Sequence, residues 1–197
     1  MGSTVLNVMS SSPPLTTATL VVRAREGEAE ARQELAREAG RTAYVFALQL
    51  SGRPDVARDV AQESLVRLFD RLDRFDPGRP LEPWLFTIVR NQVRDHARRE
   101  RVRRHESLDA WLEGGGQQAA SAATDPAALA EQAELARRIW KAVSGLSTAH
   151  REIVVLRDYH DLSYREIAAV LSIPEGTVMS RLHAARMRLR EELRGER

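Results

Sequence analysis

Apolar residues recur with the roughly 3.6-residue period of an α-helix along most of the chain. One example lies between residue 55 and about residue 72, where one face holds Val60, Ala61, Leu65, Leu68 and Leu72. A second lies near the C-terminus, where one face holds Val178, Leu182, Ala185, Leu189 and Leu193. Alternating β-branched segments are absent. The pattern therefore predicts an all-α protein.

Capping residues and prolines mark where several predicted helices begin. Asp55 and Ser147 each precede a helical pattern and are expected to act as N-caps. Ser163 and Glu166 have the spacing of a capping box, which opens a short helix. A turn at residues 172–174 separates that helix from the long final one. A short helix, a short turn and a second helix form a helix-turn-helix.

A segment rich in glycine, alanine and acidic residues divides the chain. Residues 105–128 include three consecutive glycines and a proline and break the helical pattern, which is the composition of a linker. The predicted architecture is two small helical domains, at residues 20–104 and 129–197, joined by a flexible acidic linker. A flexible tail at residues 1–19 precedes them, and the second domain carries the helix-turn-helix.

Charges are segregated along the chain although the net charge is only +2. Residues 90–104 hold seven arginines against two carboxylates, whereas residues 105–130 hold four carboxylates and no arginine or lysine. A solvated helix end is the plainer explanation of the basic run. Its position beside an acidic segment favours a role in binding nucleic acid.

Two predicted helices of the first domain have informative polar faces. Opposite the apolar face of residues 55–72, polar residues surround Val66, which indicates either an ordinary solvated face or a docking surface for a basic partner. A proline-rich loop at residues 75–83 leads into the next helix, whose apolar side begins with Trp84 and Ile88. Residues expected to lie progressively away from that side are Phe86, Arg90, Asn91 and Arg94.

The residue types predict no catalysis. The chain has no cysteine, and its five histidines are scattered without i, i+4 pairs, which argues against a metal site. The pair His160 and Asp161 resembles a phosphohydrolase metal pair but lacks further ligands. The N-terminus has no signal-peptide features, and no apolar run reaches the roughly 20 residues that span a bilayer. We therefore expect no catalytic residue, metal, cofactor, small-molecule substrate or membrane insertion, and a cytoplasmic location.

Four segments carry motifs in the order and spacing of one known family. They are RAREGEAEA, GRPDVARDVAQESLVRLF, FDPGRPLEPWLFTIVRNQVRDHARR and LSTAHREIVVLRDYHDLSYREIAAVLSIPEGTVMSRLHAARMRLREEL. Together they resemble a bacterial RNA polymerase sigma factor of the extracytoplasmic-function, sigma-70-like group. The resemblance covers about residues 20–194. It implies a region 2-like domain at 20–104 and a region 4-like domain at 129–197.

The resemblance implies a promoter-specificity subunit. Its partners would be core RNA polymerase, contacted at the β′ clamp helices and the β flap, promoter DNA and an anti-sigma factor. The acidic linker would thread the RNA path of the polymerase. The residues that match the polymerase-docking motif and its apolar centre are Asp59, Gln62, Glu63 and Val66. Those implied in binding the −10 element, as a base pocket and phosphate contacts, are Phe75, Arg79, Arg90, Asn91, Arg94, Arg98 and Arg99. Those assigned to the −35 element are Thr177, Met179, Ser180, Arg181, His183 and Arg186.

The chain departs from the family pattern at several positions, and two alternatives stay open. The departures are Arg32, Ala36, Arg58, Ser172, Met179 and Ala184. With no cation at position 179, contact with base edges falls to Ser180 and His183, and Met179 is free to touch a thymine methyl. The alternatives are a stand-alone helix-turn-helix regulator and a sigma-like interaction protein without promoter activity.

Overall fold

The computed structural model describes residues 17–106 and 126–195, with side chains for residues 17–102 and 134–194, and has no strand within them. The helices of the described residues are α1 (Thr17–Arg25), α2 (Ala29–Ser51), α3 (Pro54–Asp70), α4 (Leu81–Glu106), α5 (Pro126–Gly145), α6 (Thr148–Val154), α7 (Tyr164–Leu171) and α8 (Glu175–Gly195). A 3-10 turn at Leu72–Arg74 follows α3, and α6 continues into a π-helical turn at Val155–Tyr159. The predicted all-α fold is confirmed.

The predicted tail and linker lie mostly outside the described residues. Residues 1–16 of the tail and 107–125 of the linker are not described. Helix α1 begins at Thr17, α4 runs to Glu106 and α5 begins at Pro126. None of the described helices is both long enough and apolar enough to cross a membrane.

Helices α1 to α4 form the first half of the molecule, with α2 packed against each of the other three. Its interior is filled by large apolar side chains such as Leu35, Phe46 and Leu85. The apolar face predicted for α3 is buried except for Leu65, which packs half-buried against the core. Burial of this face fixes which side of α3 remains in solvent.

The N-terminal ends of the helices agree in part with the N-caps predicted from the sequence. Helix α3 begins at Pro54, where the missing N–H costs nothing, so Asp55 lies in the first turn and is not the N-cap as predicted. Ser147 precedes α6 at the N-cap position but makes no capping hydrogen bond with its side chain. The capping box is confirmed: Glu166 N donates to Ser163 Oγ at 3.3 Å, and Ser163 N donates to Glu166 Oε2 at 2.8 Å.

Helices α5 to α8 form the second half and contain the predicted helix-turn-helix. Helix α7 ends at a left-handed residue, Ser172, with φ of 56°, and α8 begins after the turn. On the predicted inward face of α8, Val178, Leu182 and Ala185 are buried, and the last two leucines are half-buried. The opposite face of α8 therefore remains in solvent.

The two halves pack against each other. Helix α4 lies on α7, and α2 lies on α6 and the π-helical turn, so the buried side chains of both halves form one cluster. Phe86 is 1% exposed and its ring centroid lies 4.5 Å from that of His160 in the second half. Arg90 is buried as well. The prediction that Phe86 and Arg90 lie away from the apolar side of this helix is wrong, because α4 is covered on two sides, whereas Asn91 and Arg94 are exposed as predicted.

Candidate nucleic-acid interface

The polar face of α3 is open to solvent. Asp59, Gln62 and Val66 are exposed, and Val66 retains 61% of its accessible surface. Glu63 is also exposed, but its carboxylate accepts a hydrogen bond from Gln92 Nε2 of α4 at 2.5 Å. The four residues predicted to dock on polymerase therefore share one accessible face, and Glu63 additionally ties that face to α4.

The loop between α3 and α4 is built around a stacked aromatic pair. The ring centroids of Phe75 and Trp84 lie 4.8 Å apart with an interplanar angle of 23°, and Phe75 is buried. Arg25 at the end of α1 donates from Nε to the carbonyl of Leu72 at 2.8 Å and from Nη2 to the carbonyl of Phe75. Arg25 thus holds the loop in place. Sequence reasoning missed it, because a helix-terminal arginine carries no signal beyond its charge.

A cleft of about 800 Å³ opens beside this aromatic pair. It is lined by Phe75 and Trp84, by the loop arginines Arg74 and Arg79, and by Arg165 of α7. An aromatic wall with cations around it suits an unstacked base and its phosphates. Since α7 supplies part of the lining, the second half of the chain borders the cleft.

The arginines of α4 lie in different environments. Arg90 is 7% exposed, and its Nε lies 3.1 Å from Oε2 of Glu152 in α6. Arg94 is exposed and places Nε and Nη2 at 3.2 and 3.3 Å from the two oxygens of the same carboxylate. The other predicted residues of this helix are exposed, namely Asn91, Arg98 and Arg99. Glu152 thus pairs with two of the four predicted phosphate-binding arginines.

After the acidic Glu175 at its start, the first two turns of α8 carry no exposed arginine or lysine. Met179 is 55% exposed, and Ser180 and His183 are exposed as predicted. The Ser180 hydroxyl donates to the Thr177 carbonyl at 3.2 Å, which leaves its lone pairs free to accept. Thr177 and Arg181 are half-buried beside this face. These five residues lie in the first three turns of α8.

Arg186, the sixth residue predicted to contact the −35 element, already has an acidic neighbour. It makes an ion pair with Asp158 of the π-helical turn, and this hydrogen bond raises the pKa of the arginine. The pair is exposed on both sides, and its net contribution to stability is small. A DNA phosphate would therefore compete with Asp158 for this guanidinium.

His160 faces the first half of the molecule. Its Nε2 lies 2.7 Å from Oε1 of Gln49, and its ring packs edge-on against Phe46 with the centroids 5.4 Å apart. Burial lowers the pKa of His160, and the nearby charge of Asp161 opposes that effect. In the part of the chain that the structure describes, no group of three or more His, Asp or Glu side chains could hold a metal ion. His160 acts here as a packing residue between the halves.

Comparison with known proteins identifies the family. Residues 35–103 match the family model of sigma-70 region 2, and residues 136–189 match that of sigma-70 region 4. The chain is 33% identical to the ECF RNA polymerase sigma factor SigL of Mycobacterium tuberculosis, over 85% of this chain and 91% of the relative. The chain belongs to the extracytoplasmic-function (ECF) sigma factor family.

Two solved complexes contain a chain whose structure is similar to that of this ECF sigma factor. One is the sigma factor RpoE with the anti-sigma factor NepR from Bartonella quintana, which is 29% identical, has a TM-score of 0.70 and covers 85% of this chain and 99% of that one. The other is CnrH with the cytosolic domain of CnrY, which is 27% identical, has a TM-score of 0.64 and covers 92% and 99%. Members of this family are transcription initiation factors.

Proposed function

We propose that this ECF sigma factor directs core RNA polymerase to its promoters through three surfaces of one helical chain. The observation that carries the proposal is their combination: an exposed polar face on α3, an arginine-rich α4 beside an aromatic cleft, and a helix-turn-helix with an open outer face. A stand-alone helix-turn-helix regulator needs only the third surface. The chain itself performs no covalent chemistry in this proposal, because the polymerase carries it out.

The α3 face is the proposed docking site for the β′ clamp helices of the polymerase. Asp59, Gln62 and Glu63 supply polar and acidic contacts around Val66, whose exposed side chain gives the interface an apolar centre. Interfaces commonly combine such a centre with a charged surround that orients the partner. A second contact, between the second half and the β flap, follows from the family resemblance.

The loop and α4 are the proposed site for the −10 element. Phe75 and Arg79 line the cleft, where a base removed from the duplex would stack. Asn91 is exposed on α4 one turn beyond Thr87 of the lining and offers an amide for hydrogen bonds to that base. Along α4, the row of phosphate contacts consists of Arg90, Arg94, Arg98 and Arg99. These contacts together hold the opened strand.

The first turns of α8 are the proposed site for the −35 element. Ser180 and His183 offer hydrogen bonds to base edges, and exposed Met179 fits the methyl group of thymine. Phosphates on either side are contacted by Arg181 and Arg186 and by the hydroxyl of Thr177. Sequence preference then depends on side chains that carry little charge.

Regulation by an anti-sigma factor forms part of the proposal. One solved relative, the sigma factor RpoE of Bartonella quintana, is in complex with the anti-sigma factor NepR. We further infer that the protein works in the cytoplasm, where the polymerase is. The acidic segment at residues 105–128 would occupy the RNA path of the polymerase, where its negative charge mimics nucleic acid.

Transcription reconstituted from purified components tests the proposal. The full chain is added to core polymerase on templates that carry candidate promoters from its own genome, and transcripts are mapped to their start sites. Initiation at defined sites that depends on the chain supports the proposal. DNA binding without polymerase, combined with no initiation in its presence, would identify a stand-alone regulator. Binding to polymerase without initiation would identify a sigma-like interaction protein.

A further inference from the structure

One arginine at the end of α1 reaches into the loop that forms the aromatic cleft. Arg25 donates from Nε and Nη2 to the carbonyl of Leu72, at 2.8 and 2.6 Å, and Nη2 also donates to the carbonyl of Phe75. These partners lie 47 and 50 positions further along the chain. Arg25 is half-buried, and two nitrogens of its guanidinium already bind backbone. The side chain therefore acts on the loop.

Helix α1 gives this arginine a fixed base. The helix packs against α2, which is the central helix of the first half, and it also contacts the 3-10 turn. The apolar side of α1 is buried in the core of that half, so the helix cannot shift without disturbing the core. The buried residues of α1 are Leu20, Val21 and Ala24. The position of Arg25 is thus set by the core and not by the loop.

The two carbonyls lie on either side of the turn that places Phe75. The 3-10 turn spans Leu72–Arg74, and Phe75 N donates to the carbonyl of Leu72 at 3.1 Å. That carbonyl also accepts from Arg25, since a carbonyl oxygen has two lone pairs. After the turn, the backbone of Phe75 is extended, with φ of −75° and ψ of 138°. Hydrogen bonds from a cation are roughly twice as strong as those between neutral groups, so Arg25 restrains both ends of this turn.

The ring of Phe75 in turn forms part of the wall of the cleft. It stacks on Trp84 with the ring centroids 4.8 Å apart, and both residues line the cleft. Trp84 belongs to the first turn of α4, whereas the backbone of Phe75 is held from the side of α1. A shift of that backbone would change the tilt of the wall. Selection of an unstacked base depends on its fit to such a wall and on its hydrogen-bonding groups.

We propose that Arg25 is a positioning residue for base selection at the −10 element. It fixes the aromatic wall in the geometry that fits the preferred base, and it does so through the loop without contacting DNA. The inference rests on the proposed function, because that function supplies the unstacked base. Docking on polymerase and contact with phosphates belong to other residues and do not depend on Arg25.

Three variants separate positioning from charge and stability. Arg25→Met keeps an unbranched stem and removes every donor. Arg25→Lys keeps the charge but replaces the planar fork of donors with a single ammonium. Arg23→Met is the matched control, because it removes an arginine of the same helix that pairs with Glu28. Far-UV circular dichroism measures the folded fraction of each variant.

The first readout follows the aromatic pair in the full chain without polymerase. In a proton–nitrogen correlation spectrum, the indole N–H of Trp84 is sensitive to the ring current of the stacked Phe75. Its resonance is assigned by its loss in Trp84→Phe. Arg25→Met is expected to move this resonance, and Arg25→Lys to move it less. Arg23→Met is expected to leave it in place.

The second readout is base preference in the holoenzyme. The full chain and core polymerase transcribe templates in which each base of the −10 element of one of its own promoters is changed in turn. Arg25→Met is expected to reduce the preference for the native base at one position by about tenfold, which lies within the range for loss of one stacked base. Arg25→Lys should reduce it less, and Arg23→Met should not reduce it. A ratio between templates is insensitive to the folded fraction, so a purely structural role would leave it unchanged.

The outcomes distinguish this inference from the proposed function. An unmoved Trp84 resonance in Arg25→Met would overturn the inference, whatever the transcription result. A moved resonance with unchanged base preference would overturn it as well, because the wall would then shift without consequence for selection. If Arg25→Met does not fold, Arg25→Lys decides by the same two readouts. If the wild-type chain drives no initiation, the proposed function fails, and the resonance still decides whether Arg25 positions the wall.

Discussion

Met179→Arg is the most informative change in the proposed −35 surface. Met179 is 55% exposed and is the fifth residue of α8, which begins at Glu175. It lies beyond the first turn, where the helix dipole would disfavour a cation, and Met and Arg have similar helix propensity. We therefore expect the free energy of unfolding to change by less than about 0.5 kcal/mol.

The expected effect on DNA follows from the charge and shape of the new side chain. One added phosphate contact steepens the slope of log K against log salt by about 0.9. Between 50 and 200 mM salt, this corresponds to an extra loss of affinity of roughly 3.5-fold, with tighter binding at the low-salt end. If the guanidinium instead reaches a guanine, discrimination at that base changes by about 1 to 3 kcal/mol. Both effects follow from placing Arg at position 179 of the proposed −35 site.

The assay titrates the full chain onto a labelled promoter duplex over a salt series, followed by selection from duplexes randomised at the −35 element. Met187→Arg is the matched control, because Met187 is a second exposed methionine of α8, about two turns further along. It should add affinity without altering base preference. Unchanged slope and unchanged preference in Met179→Arg would refute the placement of this position at the DNA.

Three further predictions concern other parts of the molecule. Val66→Gln should weaken binding to core polymerase about tenfold in a pull-down titration, whereas Val45→Gln, at a 40% exposed valine of α2, should leave it unchanged. Ser172→Gly should raise the free energy of unfolding in urea by about 1 kcal/mol, since the serine holds φ at 56° where a Cβ is unfavourable; no gain would contradict this. Burial lowers the pKa of His160 below 6.5, so the folded chain binds fewer protons there than the unfolded chain. The melting temperature should therefore decrease when the pH is lowered from about 7.5 to about 5.5. In the His160→Gln variant this decrease should be smaller.

Local sequence signals predict the helices and the helix-turn-helix well. The inward face of α8 and the capping box at Ser163 and Glu166 depend on residues a few positions apart, so periodicity and spacing identify them. The outward position of Met179 follows from the same periodicity. Asp55 shows the limit of such signals, because α3 begins at the neighbouring Pro54 and its N-cap is Arg53, two residues earlier than predicted.

Contacts between distant parts of the chain could not be predicted in this way. Arg90 and Glu152 are separated by more than sixty positions, and nothing in either neighbourhood indicates the other. Periodicity within α4 predicts that Phe86 lies away from the apolar side, whereas its ring contacts both Phe46 of the first half and His160 of the second. Periodicity indicates which face of a helix is apolar. It does not indicate that the second half of the chain covers the face of α4 that holds both Phe86 and Arg90, or that Glu152 pairs there with the arginine.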